Sequence, residues 1–219
     1  KVKDIPEEQL GKVRIRDVEV SDLLAREEVA LDEGLVGTYL NGTTVLVTGG
    51  GGSIGSELVR QLLPAKPAKI VLFDIYENTV YELYHEIAGE ARESGIEIVT
   101  EIGSITHLPA LEEVFDRHNP QVIFHAAAHK HVPLMESNPR EAIENNVFGT
   151  LNVVRMAHER GCSHFILIST DKAVNPANVM GATKRMCEMI VQHYAQFSKT
   201  VFASVRFGNV LGSHGSVIP

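Results

Sequence analysis

The chain has 219 residues, 44% of them hydrophobic, and a net charge of −8, enough for one large α/β domain with a substantial core. The acidic balance argues against a nucleic-acid partner, since phosphate neutralisation needs clustered Lys and Arg. No apolar run is long enough to span a bilayer and no opening stretch reads as a signal peptide, while two cysteines without a close pairing motif, Cys162 and Cys187, point to a reduced, cytoplasmic setting.

Residues 1–43 are charge-rich with short apolar patches, Val13-Arg14-Ile15 and Leu23-Leu24. They are expected to form an extension that packs on a larger core. Lys1 and Pro219 do not read as natural termini, so a piece of a longer protein is expected. From Thr44 onward, strand and helix signals alternate. Continuous apolar runs predict buried parallel strands at Thr44–Thr48, Ile70–Asp74, Ile96–Glu101, Gln121–Ala126, His164–Ser169 and Val201–Arg206. Helices are predicted between them at Ser53–Leu63, Glu77–Glu93, Leu108–Arg117, Pro139–Arg160 and Ala182–Phe197, with Thr106 and Asn138 as caps. Helical crossovers between six strands make an α/β fold with a doubly wound parallel sheet over residues 44–219.

The first strand runs into Gly49-Gly50-Gly51-Gly52-Ser53-Ile54-Gly55, which opens a helix. The early glycines allow a sharp turn off the strand, Gly52 lets the backbone approach a pyrophosphate, and Gly55 lets helix pack close on strand. With Thr48 the run fits T-G-x-x-G-x-x-G, and the helix start offers N–H groups and a positive dipole end to phosphates. Asp74 closes the second strand 19 residues after Gly55, where a carboxylate accepts hydrogen bonds from ribose hydroxyls. Strand, loop, helix and acid together predict a Rossmann-like dinucleotide site. Asp74 favours NAD because it would repel a 2′-phosphate, although a nearby Lys or Arg could admit NADP.

The fifth strand ends in Thr170-Asp171-Lys172, where α/β folds place ligands. Met180 and Lys184 then share one face of the next helix. Here the chain resembles the extended short-chain dehydrogenase/reductase superfamily, whose helix carries Tyr-x-x-x-Lys. More narrowly, Ser169 to Arg185 is similar to the nucleotide-sugar 4,6-dehydratases of bacterial polysaccharide and capsule biosynthesis. So are Ala127 to Glu136, Asn145 to Thr150, and Arg206 to Gly212, with Val13 to Val18 and Asp22 to Leu24 similar to the long, membrane-anchored members.

The resemblance implies a lyase with internal hydride transfer, acting on a UDP-sugar, UDP-N-acetylglucosamine being the expected substrate. It implies Lys172 as the base at C5, Asp171 as the acid at the C6 hydroxyl, Thr170 as a hydrogen-bond partner of the C4 oxygen, and Lys184 on the nicotinamide ribose. Ser104, Ile105 and the small residues Ala126, Ala127 and Ala128 would lie against the cofactor, and Lys130, His131 and Asn209 against the substrate. A homo-oligomer is expected. This piece itself is not expected to touch membrane, whereas the fuller protein would be anchored, and the substrate region is expected to continue beyond Pro219.

Met180 stands where the superfamily has Tyr, and a thioether accepts no proton. Asp171, Thr170 relaying to solvent, or an ordered water are the open choices for the C4 proton. His125, His129 and His131 fall on a strand end and its loop, with no Cys or carboxylate completing a metal set; they read as pocket lining or loop residues. Asn146 reads either as a prop for the site or as a plain buried hydrogen-bonding residue, and Tyr76, Tyr81 and Tyr84 read as helix packing. Two rival readings share the fold: a UDP-sugar C4 epimerase, which would have no need of the Asp-Lys pair, and a cofactor-binding module that turns nothing over.

Overall fold

Apolar residues covered on both faces leave the backbone only neighbouring strands to pair with, and the six predicted runs do pair in parallel. The computed structural model describes residues 33–210. The first 32 positions of the predicted extension and the last nine residues of the chain lie outside that range.

The described part of the extension is helix α1 (Glu33–Leu40). There follow β1 (Thr44–Thr48), α2 (Ser53–Leu62), β2 (Lys69–Asp74), α3 (Glu77–Glu93), β3 (Glu97–Ile102), α4 (Leu108–His118) and β4 (Val122–His125). The second half comprises α5 (Val132–Ser137), α6 (Pro139–Ala142), a π-helical turn at Ile143–Phe148, α7 (Gly149–Glu159), β5 (His164–Thr170), a 3₁₀ turn at Asp171–Ala173, α8 (Val179–Ala195) and β6 (Val201–Phe207). The strand order is β3-β2-β1-β4-β5-β6. The order reverses between β1 and β4, where open α/β sheets form a crevice. Register brings Thr48 level with Phe73 and His125, so three strand ends open on that crevice together.

Alternation along the strands divides the core between two layers. Val45, Val47, Ile70 and Leu72 pack with α2, α3 and Leu40 on one side. Leu46, Val71, Phe73, Ile123, Phe165 and Leu167 pack with α4, α7 and α8 on the other. The outer strands depart from the expectation of burial on both faces. In β6, Val201 and Val205 are 57% and 47% exposed, because this is an edge strand that α8 covers on one side only.

Three other expectations need correction. The stretch expected as one helix from Pro139 to Arg160 is interrupted by the π turn, and an unpredicted helix, α5, precedes it. Of the predicted caps, Thr106 stands one residue before the N-cap His107 and its hydroxyl bonds Ser104 Oγ at 2.8 Å. Asn138 does hold the N-cap position of α6 with Pro139 after it, but its side chain makes no capping bond and Nδ2 donates to the Leu134 carbonyl at 2.9 Å. The last helix starts earlier than predicted, because Asn178 Oδ1 accepts from Gly181 N–H at 2.7 Å and so caps it.

A polar bridge crosses the core beneath the strand ends. The His125 ring, fully buried, meets Thr48 Oγ1 through Nδ1 at 2.6 Å and Thr150 Oγ1 through Nε2 at 2.9 Å. It joins β1, β4 and α7. Burial first, and then the Lys184 charge, push its pKa down to about 3. The folded ring therefore stays neutral where an unfolded one takes up a proton, near pH 6.5. This contribution is complete above pH 6.5 and is lost as pH falls from there toward 3, at up to about 1.4 kcal/mol per pH unit. Urea unfolding at a series of pH values should show that slope in the native sequence and a flatter one in His125→Gln.

The start of α2 lies close on the loop before it. A methyl at Gly55 would overlap the Gly49 carbonyl oxygen and come within 2.8 Å of the Gly49 carbonyl carbon. Both are backbone atoms with little room to yield. Gly55→Ala should lower the unfolding free energy by about 1–3 kcal/mol, as overpacking does, read from the denaturant midpoint.

Candidate dinucleotide site and the polar cluster beside it

A cleft of about 870 Å³ lies over the ends of β1, β2 and β4, within the range of roughly 300–1,000 Å³ typical of small-molecule sites. Most of the predicted cofactor contacts line it: Gly49, Gly52, Ser53, Ile54 and Gly55 on the loop, then Asp74, Ser104, Ile105, Ala126, Ala127 and Ala128. Lys130 and His131, predicted against substrate, line it too. Thr48 does not. It is fully buried with its hydroxyl on His125, so it supports the loop from below and offers a ligand nothing.

The loop residues fit an anionic dinucleotide. Gly49 has φ +72°, and a Cβ there would stand 2.5 Å from the Ala127 nitrogen. The loop thus runs backbone to backbone against the exit of β4, with no room for a side chain between them. Gly52 caps α2 without a side chain, and the first turn of α2 carries no acid. The positive end of that dipole therefore faces the cleft. Asp74 is oriented by two backbone donors: Gly51 N–H to Oδ2 at 2.9 Å and Tyr76 N–H to Oδ1 at 3.0 Å. A carboxylate oxygen has further lone pairs, so both oxygens can still accept from vicinal hydroxyls.

The predicted catalytic residues sit outside this lining, on the neighbouring ends of β5 and β6. Thr170 Oγ1 donates to Asp171 Oδ1 at 2.9 Å, and Lys172 Nζ donates to Asp171 Oδ1 and to Asn209 Oδ1, each at 3.1 Å. Asn209 therefore belongs with this trio, while Lys130 and His131 belong with the cleft. The Lys172 and Thr170 hydrogen bonds hold the Asp171 carboxyl below its usual range. As it stands the pair is a carboxylate beside an ammonium.

Lys184 and Met180 lie deeper. Lys184 is 5% exposed, and its Nζ donates to the Ile168 carbonyl at 2.7 Å. Burial lowers its pKa. Met180 is packed with Met135 and Ala142, so it is a core residue on the side where α5 meets α8.

Among the other singled-out residues, Asn146 is a buried hydrogen-bonding residue that makes no bond to β5 among the described residues. It is fully buried in the π turn, and it accepts from His129 N–H at 2.8 Å while donating to the His129 carbonyl and to Thr183 Oγ1, each at 3.0 Å. It thereby fastens the loop after β4 to α8. His129 Nε2 faces Glu141 at 3.4 Å, and His131 is the residue before α5. Among the described residues no group of three His, Cys, Asp or Glu side chains is arranged to hold a metal. Tyr76 and Tyr81 do not pack as predicted; they are 57% and 66% exposed, and Tyr76 lines the cleft at the start of α3.

Two acids went unnoticed in the sequence. Glu136 Oε1 accepts from Val179 N–H at 2.6 Å at the start of α8. Glu188 is 1% exposed and bonded to Ser169, Arg185 and Arg206. Its position one turn after Lys184, on the buried face of a helix, was the available signal.

The model of the polysaccharide biosynthesis protein family matches residues 45–219. The probable polysaccharide biosynthesis protein EpsC of Bacillus subtilis (strain 168) is 51% identical over 208 residues, covering 94% of this chain and 34% of that protein. A UDP-N-acetylglucosamine 4,6-dehydratase (inverting) of Campylobacter jejuni (serotype O:23/36, strain 81-176) is 36% identical over 183 residues, 82% of this chain and 52% of that protein. The X-ray structure of Pen from Bacillus thuringiensis superposes with a TM-score of 0.75 at 35% identity, over 82% of this chain and 56% of that one. The chain thus spans about a third to a half of the length of these relatives. No helix among the described residues is long and apolar enough to cross a membrane. On the family match, the glycine-loop cleft and the all-parallel sheet, the chain belongs to the polysaccharide biosynthesis protein family, of the extended short-chain dehydrogenase/reductase type.

Proposed function

We propose that this chain is the NAD-holding part of a nucleotide-sugar 4,6-dehydratase whose substrate is UDP-N-acetylglucosamine. The observation that carries the reading is the Asp171–Lys172 pair, 3.1 Å apart at the end of β5, at the same C-terminal end of the parallel strands as the glycine-lined cleft. Support comes from the Campylobacter relative that bears this activity in its name.

When bound, NAD would supply a hydride acceptor and donor, so that the cycle ends with no net redox change. The N–H groups at the start of α2 bind its pyrophosphate, and Asp74 accepts from the adenosine ribose hydroxyls. Lys172 and Asp171 carry the elimination of water. The amine of Lys172 takes the C5 proton, Asp171 protonates the departing C6 hydroxyl, and a double bond forms between C5 and C6. That assignment needs the neutral pair rather than the ion pair. A sugar covering the half-exposed site would displace water, and desolvation favours an acid beside an amine over two charges. One proton crossing from Nζ to Oδ1 makes the exchange. Thr170 points its hydroxyl at Asp171 and would bind the C4 oxygen of the sugar.

A UDP-sugar C4 epimerase would use the same cofactor cleft but leave the Asp171–Lys172 pair without a task. The buried Met180 gives such an epimerase no proton acceptor at that position. Mass or NMR analysis of the product separates the two, since only the dehydratase yields a 4-keto-6-deoxy sugar.

In the full-length protein, Lys172→Ala should lower turnover at least about 100-fold, the scale of general acid–base catalysis, while NAD affinity stays unchanged. Normal turnover would refute the base. Asp74→Ala should weaken NAD about 10-fold, as expected for lost charge-assisted hydrogen bonds, and narrow the preference for NAD over NADP. Unchanged titration curves for both cofactors would remove Asp74 from the site.

A further inference from the structure

The carboxylate of Glu188 is the most heavily engaged charge in the described residues that the proposed chemistry does not use. Its Oε1 accepts from Ser169 Oγ and from Arg206 Nε, each at 2.7 Å. Its Oε2 accepts from Arg206 Nη2 at 2.6 Å and Arg185 Nη1 at 3.1 Å. Glu188 itself is 1% exposed, while the Arg206 and Arg185 side chains that reach it from the surface are 38% and 39% exposed. Apolar side chains of similar volume often serve the position of a buried carboxylate as well or better, so stability alone is a poor account of Glu188.

Location gives a better account. Ser169 and Arg206 are register partners across β5 and β6, and Thr170 opposite Phe207 is the last pair of that ladder. Immediately beyond it the two chains leave the sheet, and they meet again only through side chains, where Lys172 Nζ reaches Asn209 Oδ1. Among the described residues β6 is an edge strand with most of its residues exposed, and the Glu188 bonds to Arg206 are side-chain links that hold its end to α8. Helix α8 touches the same corner twice more. Lys184 Nζ holds the Ile168 carbonyl, and a Cβ on Gly181 would stand 2.5 Å from the Lys172 carbonyl oxygen.

We propose that Glu188 is a positioning residue: gripping Ser169 and Arg206 together, it fixes the ends of β5 and β6 so that Lys172 is delivered to Asn209 and Asp171. Its consequence for catalysis rests on the dehydratase reading; its consequence for local order does not. Glu188 touches neither cleft nor cluster and acts through the strand ends that carry them.

The test uses the full-length protein with two variants, Glu188→Gln and the apolar pair Glu188→Leu with Arg206→Met. Hydrogen exchange is followed by mass spectrometry over residues 166–173 and 204–210, alongside melting temperature, kcat, KM and NAD affinity. In both variants exchange over those two segments should quicken about 10-fold, while β1 and α2 keep native protection. Turnover should fall about 100-fold, the cost of a small misplacement of reacting groups, with KM and NAD affinity close to native. The apolar pair should regain the melting temperature without regaining kcat. Recovery of both by the apolar pair, or native exchange in the two segments, would overturn the proposal. If Glu188→Gln does not fold, the apolar pair decides alone. Should the native protein make no 4-keto-6-deoxy sugar, the dehydratase reading fails, and the exchange measurement still decides whether Glu188 orders the strand ends.

Discussion

Everything at the mouth of this domain depends on how closely one stretch of backbone passes another. The glycine loop turns off β1 at Gly49 and runs against Ala127 with no room for a β-carbon, then receives the start of α2 at Gly55 under the same restriction. Two close approaches in seven residues bring the peptide groups of the loop to the cleft, beside lining residues such as Ser53, Ile54 and Phe73. Peptide N–H groups carry no charge to neutralise and no rotamers to freeze, so the site is built before a ligand arrives. Asp74 belongs to the same construction. The Gly51 amide orients its carboxylate, so the loop also sets the acid that stands at its rim.

Below that surface the polar groups are arranged for support. The Thr48–His125–Thr150 bridge and the Asn146 contacts with His129 and Thr183 link β1, the loop after β4, and the two helices beneath. Of these residues only His129 lines the cleft; Thr48, His125, Asn146, Thr150 and Thr183 do not. Buried polar groups with every bond made hold one geometry firmly, because any displacement leaves a donor or acceptor unpaired. The domain therefore has two kinds of functional residue: backbone and a few acids at the surface, and a buried layer that determines where they stand.

The parallel sheet and the glycine-rich turn from strand to helix were legible in the sequence, since each rests on local signals: apolar runs, helical crossovers and glycine spacing. What was not legible depended on partners far along the chain. Thr48 looked like a ligand contact because it opens the glycine motif, and only the pairing of β1 with β4 shows His125 taking its hydroxyl. Asn138 before a proline looked like a cap, but α5 behind it offered a carbonyl first. Glu188 drew no notice, and its bonds to Arg206 eighteen residues later exist only once β6 lies beside α8. Met180 stood out as a missing tyrosine; its role as packing appears only once Met135 is beside it.

The π turn at Ile143–Phe148 amounts to one surplus residue wound into an otherwise α-helical crossover. Asn146 sits on it. That extra residue is absorbed within one wide turn, so the flanking helices keep nearly the phase they would have without it. What the irregularity changes is local: it carries the Asn146 amide to the His129 backbone and to Thr183 while α7 keeps its packing in the core.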